Sequence, residues 1–204
     1  MMDELIEILR SERLAVERRE RWLFERVSHE STNRVQFDAL VQRSDGWIAA
    51  RKQRLTASRF GVIAELSKYA DAYALWELLT GAVEVGADDD PAGNPHIQRG
   101  VTQESLAIRG YENAMKCTVN LAGFYVHKHY DYLGASPDGL LPDGRGLVEI
   151  KCPARATTTE ISDEYMAQVQ GQLEICDREY CDFCTWHMST GLQIVRVYRS
   201  KAYW

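Results

Sequence analysis

At 204 residues, 45% of them apolar, the chain is long enough to bury one substantial core and too short for several. No run of eighteen apolar residues occurs, and Met1-Met2-Asp3-Glu4 lacks the order of a secretory signal, which excludes a membrane-spanning helix and predicts a cytoplasmic protein. A net charge of −6 excludes a protein that coats nucleic acid by bulk positive charge, though not one that grips it at a single site.

Residues 3–27, rich in Glu, Arg and Leu, predict one long charged helix with Leu5, Ile8, Leu9, Trp22 and Leu23 at loosely helical spacing. This segment reads as an arm, and residues 1–43 are expected to form a helical extension ahead of a domain spanning 44–204. Arg43, Arg51, Lys52, Arg54 and Arg59, set against Asp45, make a local basic stretch. A helical region is expected from Gly46 to Leu66, with Thr56-Ala57-Ser58 as a helix start, then a helix over 72–79 that stops before Gly81. Pro91, Gly93, Pro95 and the Asp88-Asp89-Asp90 run make 83–98 a surface loop.

A helix capped by Thr102 is predicted from Gln103 to Met115. Strands follow over 123–129, 133–141 and 146–152, the last two joined by Pro142-Asp143-Gly144. Ser162 caps a helix to about Cys176, and two strands near 181–188 and 192–198 are split by Thr190-Gly191. Helix, strands, helix, strands predicts an α/β fold, a mixed β-sheet flanked by helices. Cys117, Cys152, Cys176, Cys181 and Cys184 are odd in number and scattered, so reduced thiols are expected.

The chemistry concentrates around one strand. Alternation from Gly146 to Cys152 puts Leu147, Glu149 and Lys151 on one face, and Val148, Ile150 and Cys152 on the other. Across the Pro142-Asp143-Gly144 turn, Ser136-Pro137-Asp138-Gly139 brings Asp138 beside Glu149. Two carboxylates that close repel unless a cation lies between them, and hard oxygens suit magnesium or manganese. The Ile150 carbonyl is a natural further ligand. An isolated Glu-x-Lys would be an ordinary surface pair; the Pro-Asp at hairpin distance is what singles this one out.

Glu104 points the same way, since it heads a helical stripe with Ile108, Tyr111 and Met115 and so turns inward, where a charge needs compensation. A metal shared with Asp138 would supply it; the helix dipole is the alternative. On the later helix Met166, Val169 and Leu173 form the buried stripe. Gln168 and Gln172 share a side, where a glutamine can orient water or grip phosphate, although such glutamines are commonly plain helix surface.

Together these residues resemble the PD-(D/E)XK nucleases, and within them the phage lambda exonuclease and YqaJ-like viral recombinase group. Ser136-Pro137-Asp138-Gly139-Leu140, Leu147-Val148-Glu149-Ile150-Lys151-Cys152-Pro153 and Tyr165-Met166-Ala167-Gln168-Val169-Gln170 match that group's motifs in order and approximate spacing. Arg99-Gly100 with Glu104 resembles its acidic helix, and Trp47, Arg51 and Thr56-Ala57-Ser58 its entry motif. The resemblance covers about 47–198 and implies a restriction-endonuclease-like core.

It implies that Asp138, Glu149, Ile150 and Glu104 hold Mg2+, or Mn2+, and that Lys151 and Gln168 serve the hydrolysis. Arg51, Ser58 and Ser136 match positions that hold a terminal 5′-phosphate, with Arg54 as a further DNA contact. The implied activity is a 5′-to-3′ exonuclease acting on double-stranded DNA ends, leaving 3′ overhangs for a single-strand annealing protein. A homotrimer is implied as well. The group has a further acid about ten positions before the Ser-Pro-Asp-Gly motif, where this chain shows Lys128, His129 and Asp131. Competing expectations are an iron-sulfur nuclease of the same fold using Cys117, Cys176, Cys181 and Cys184, and a catalytically silent DNA-end-binding module. His127 and His129, alternating on a strand, read as surface residues rather than zinc ligands.

Overall fold

The computed structural model describes residues 41–68, 70–82, 95–155 and 160–204, without the side chains of 95–102. The expected N-terminal helix and the acidic run at 88–90 lie outside these residues. Helix α1 (Asp45–Lys52) starts because the Ser44 hydroxyl accepts from the Trp47 N–H, and its last turn carries Arg51 and Lys52, which suit a helix C-terminus. The chain then extends as β1 (Leu55–Thr56), tightens into a 3-10 turn (Ala57–Arg59) and enters the short helix α2 (Phe60–Ile63). The single helical region expected from Gly46 to Leu66 is therefore interrupted. Leu55 donates its N–H to the Tyr132 carbonyl and β1 pairs in parallel with a later strand, long-range bonds that no local periodicity reveals.

Helix α3 (Ala72–Thr80) is capped by Asp71, whose carboxylate accepts from Ala74 N–H at 2.7 Å, and it ends at Gly81 in the left-handed region as expected. Helix α4 (Pro95–Met115) begins eight residues before the predicted start, so Thr102 lies inside it rather than capping it. Pro95 at its first position explains the earlier start, since a proline there sacrifices no helical hydrogen bond. Ala107 and Tyr111 on this helix are fully buried, whereas Met115, expected on the same apolar stripe, is exposed.

The strands fall into two sheets. β1, β4 (Leu133–Ala135) and β3 (Tyr125–Val126) form one; β2 (Asn120–Leu121), β5 (Gly139–Leu140), β6 (Gly146–Lys151), β7 (Tyr180–His187) and β8 (Gly191–Tyr198) form the other, in that order. The continuous strand predicted over 133–141 is thus two short pieces in different sheets, divided at Ser136-Pro137-Asp138. Pro137 has no N–H to give a ladder, so pairing breaks there. The strand expected over 123–129 shrinks to β3. β6 pairs in parallel with β7 and antiparallel with β5, so it is a central strand, and packing on each side of the sheet buries both of its faces. Such a strand has room for a charge only where partners meet it.

Helix α5 (Asp163–Ile175) begins at the Ser162 cap and carries Asp163 and Glu164 in its first turn, favourable at the positive end of the dipole. Val169 and Leu173 pack with Leu147, Cys181 and Phe183 on one side of the larger sheet, while α4 covers Val148, Ile150 and Cys184 on the other. Gly171 is required where α5 crosses α2, because a Cβ there would lie 2.4 Å from the Phe60 ring.

Asp182 is a buried charge on β7 with three donors. It accepts from Tyr111 Oη at 2.6 Å, Arg196 Nε at 2.7 Å and Arg196 Nη2 at 2.8 Å. The Arg196 guanidinium also lies over Tyr180, 3.9 Å from the ring centroid. Asp182→Ala leaves Arg196 and Tyr111 without their acceptor and is expected to lower stability by about 3 kcal/mol, measured by urea unfolding.

Candidate active site

One step beyond the β5–β6 ladder, in which Gly139 pairs with Val148, Asp138 stands across from Glu149. The Asp138 carboxylate takes the place of a ladder carbonyl and accepts from Ile150 N–H at 2.6 Å. Glu149 is 3% exposed and meets three side-chain donors. Its Oε1 accepts from Gln168 Nε2 at 2.6 Å and from Lys151 Nζ at 2.8 Å, and its Oε2 from Gln172 Nε2 at 2.7 Å. Lys151 Nζ also donates to Gln168 Oε1 at 3.0 Å and lies 5.0 Å from the Tyr165 ring centre. The shared face predicted for Leu147, Glu149 and Lys151 is the face that α5 covers.

Electrostatics identify this as a crowded site. Burial, then the charges of Glu149 and Glu104, push the Asp138 carboxyl well above its ordinary range, against the opposing pull of Lys151 and the Ile150 N–H. Burial alone would lower Lys151, but Glu149 and Asp138 more than offset it and hold the ammonium above its ordinary value. Lys151 is therefore a cation here, suited to donate hydrogen bonds and to steady negative charge.

Glu104 comes near enough for its charge to act on Asp138, yet its carboxylate is compensated by Arg43 Nη2 at 2.7 Å. Local spacing does not signal this partner, which lies 61 residues away. Arg43 adopts a positive φ of 69°, and the preceding Gln42 ties the segment down by donating to the Ala122 and Pro137 carbonyls.

The donor set fits a hard divalent cation in kind: carboxylates of Asp138 and Glu149, the Ile150 carbonyl and, beyond Arg43, Glu104. A cation beside Asp138 would favour its ionised form, which burial and then the charges of Glu149 and Glu104 disfavour. Among the described residues no three His, Cys, Asp or Glu side chains close into a ready-made cage.

The expected end-binding residues also gather. Arg51 stacks 4.4 Å from the Trp47 ring centre and its Nη2 is 3.4 Å from Ser58 Oγ. Burial, then Arg59, push Arg51 down to about 10, with Glu149 pulling the other way, so the guanidinium stays charged and close enough to sense the acidic site. Trp47 Nε1 donates to Ser136 Oγ at 2.9 Å, and Ser136 donates onward to the Gly123 carbonyl at 2.9 Å. The Ser136 oxygen thus holds Trp47 under Arg51, while its proton is engaged by the Gly123 carbonyl. Arg54 acts as a strut, donating to the Asp131 and Ala50 carbonyls at 2.8 and 3.0 Å.

His127 corrects the surface reading. It is 5% exposed, its Nδ1 accepts from the N–H groups of His129 and Tyr130, and its ring stacks on Tyr130 and Trp204. Gln168 and Gln172 are likewise buried under the sheet rather than on the helix surface. The cysteines do not gather: Cys176 and Cys181 face the α5 side of the sheet, Cys184 and Cys117 the α4 side. Burial pushes the thiols of Cys181 and Cys184 up, which keeps them protonated.

The family model of the YqaJ-like viral recombinase domain matches residues 46–179. No curated protein matches the chain. Among solved structures, the alkaline exonuclease LHK-Exo from Laribacter hongkongensis is similar over 78% of this chain and 84% of its own, at 30% identity and a TM-score of 0.63. LHK-Exo in complex with dAMP aligns over 78% and 85% at the same 30% identity, with a TM-score of 0.64. The match spans the strands that carry Asp138, Glu149 and Lys151 and the helix that carries Gln168, and this chain belongs to the YqaJ-like viral recombinase family.

Proposed function

We propose that the chain is a magnesium-dependent 5′-to-3′ exonuclease that degrades one strand of double-stranded DNA from its ends, leaving 3′ overhangs for a single-strand annealing protein. The observation that carries this reading is the convergence of Asp138, Glu149 and Lys151, with Arg51, bonded to Ser58, close enough to feel the Glu149 charge. A structural relative is named an alkaline exonuclease, and its complex holds dAMP, a nucleotide of the kind such a reaction releases. Manganese would satisfy the same oxygen donors. A homotrimer and the annealing partner rest on the family resemblance.

Asp138, Glu149 and the Ile150 carbonyl, with Glu104, would hold the divalent ion, which supplies Lewis-acid stabilisation of charge on the scissile phosphate. Lys151 orients the attacking water and steadies the developing negative charge. Gln168 bridges Lys151 and Glu149 and so fixes the ammonium relative to the carboxylate. Arg51 and Ser58 grip the terminal 5′-phosphate, with Ser136 holding Trp47 beneath the guanidinium and Arg54 bracing the loop. Anchoring the end phosphate sets the scissile bond at a fixed distance from Lys151.

The test compares linear duplexes with 5′-phosphate and 5′-hydroxyl ends. Phosphorylated ends should be digested faster by about tenfold or more, and Arg51→Ala should remove most of that preference while slowing hydroxyl ends little. Equal rates for the two ends in the unaltered protein contradict the end pocket. Release of nucleotides from 3′-labelled ends before 5′-labelled ends contradicts the polarity.

A further inference from the structure

Gln172 is 1% exposed, yet only half of its amide is used. Its Nε2 donates to Glu149 Oε2 at 2.7 Å. Its Oε1 has no hydrogen-bond partner among the described residues. Turning the amide over would not help, because a carboxylate only accepts and would then face a second acceptor. A buried acceptor with nothing to accept is a cost to folding, and a methionine of similar length would fill the same space without it. Packing therefore does not account for a glutamine here, whereas its contact with Glu149 does.

The acceptor sites of Glu149 sharpen the point. Oε1 takes two donors, Gln168 and Lys151, and is saturated, whereas Oε2 takes Gln172 alone. A carboxylate offers about four acceptor positions, so one remains, on Oε2. We propose that Gln172 is a positioning residue that fixes the Glu149 carboxylate so that this last position is presented to the divalent cation, a role that rests on the metal-dependent reading above. Gln168 and Gln172, one helical turn apart, hold the two oxygens from the same side, and the carboxylate plane cannot swing while both are in place. Without Gln172, Oε2 is released and the ion loses a pre-set ligand.

Isothermal titration of Mn2+ into the full chain without DNA tests this, with duplex digestion as the second readout. Gln172→Met is expected to weaken Mn2+ binding by about tenfold or more. Its metal-free melting temperature should change little, because the hydrogen bond lost by Glu149 Oε2 is offset by removal of the unpartnered Gln172 oxygen. Its turnover should recover in part as Mn2+ is raised, with the KM for DNA unchanged. Gln172→Leu, which lacks the donor in a different shape, is read in the same way if the methionine variant folds poorly. Mn2+ affinity within about twofold of the unaltered protein, in either folded variant, overturns the role, and a fall in melting temperature with unchanged affinity assigns Gln172 to packing alone. If the unaltered protein neither binds Mn2+ nor cuts DNA, the metal-dependent reading itself fails; if it does both and the variants match it, only the Gln172 role fails.

Discussion

Lys151→Ala is expected to lower turnover on linear duplex DNA by about 10³-fold while leaving the dissociation constant for DNA within about threefold. The asymmetry follows from where the ammonium lies. Lys151 Nζ is held by Glu149 Oε1 and Gln168 Oε1 inside the site, so it does little to attract DNA from solution but stands where charge would develop on a scissile phosphate held beside the carboxylates. Its removal also leaves Glu149 with the two glutamine donors alone. Single-turnover digestion together with filter binding separates the two effects. A Lys151→Ala protein that cuts at the unaltered rate sinks the assignment, and one that no longer binds DNA moves Lys151 from chemistry to binding.

Asp138→Asn should abolish cutting by about 10³-fold or more and, in the absence of divalent metal, make the protein more stable. The second half is the more diagnostic. Burial and the charges of Glu149 and Glu104 raise the Asp138 carboxyl above its unfolded value, so the folded chain holds that proton more tightly than the unfolded chain does. The folded state is therefore favoured while Asp138 is protonated, and this advantage is lost as pH rises from the unfolded carboxylate value through the raised folded one. Asparagine carries no charge and its carbonyl can still accept from Ile150 N–H. Thermal melts in EDTA should place Asp138→Asn above the unaltered protein at neutral pH, with the gap closing as the pH falls below the ordinary carboxylate range. Added Mg2+ should raise the unaltered protein only. A variant that melts lower at neutral pH in EDTA would mean that Asp138 is a structural carboxylate.

Much of the site was legible because its residues sit on regular elements. Strand alternation alone places Glu149 and Lys151 on one face, and the Pro142-Asp143-Gly144 turn, with Gly144 at a φ of +72°, brings Asp138 across from Glu149 as expected. The Ser162 cap and the Val169–Leu173 stripe likewise follow from local rules. What escaped depends on contacts distant in sequence. Arg43 compensates Glu104 across 61 residues, and Trp47 reaches Ser136 across 89. No periodicity encodes such pairs. The broken strand at Ser136-Pro137-Asp138 was signalled by Pro137, but the alternating run on either side masked it. Helical spacing puts Gln168 and Gln172 on one side without showing that this side is buried; the Glu149 carboxylate to which both donate accounts for them. The Asp182, Tyr111 and Arg196 network was missed for the same reason, since an acid within an apolar strand is intelligible only once its arginine is seen on the neighbouring strand.

Cutting of DNA from an end is expected to require a divalent cation held by the carboxylates of Asp138 and Glu149. Release of acid-soluble nucleotides from linear and covalently closed circular duplex, each with Mg2+ or with EDTA, tests it most directly. The account predicts release from the linear form in Mg2+ and none in the other three reactions. Undiminished release in EDTA, or no release from linear duplex with either Mg2+ or Mn2+, would contradict it.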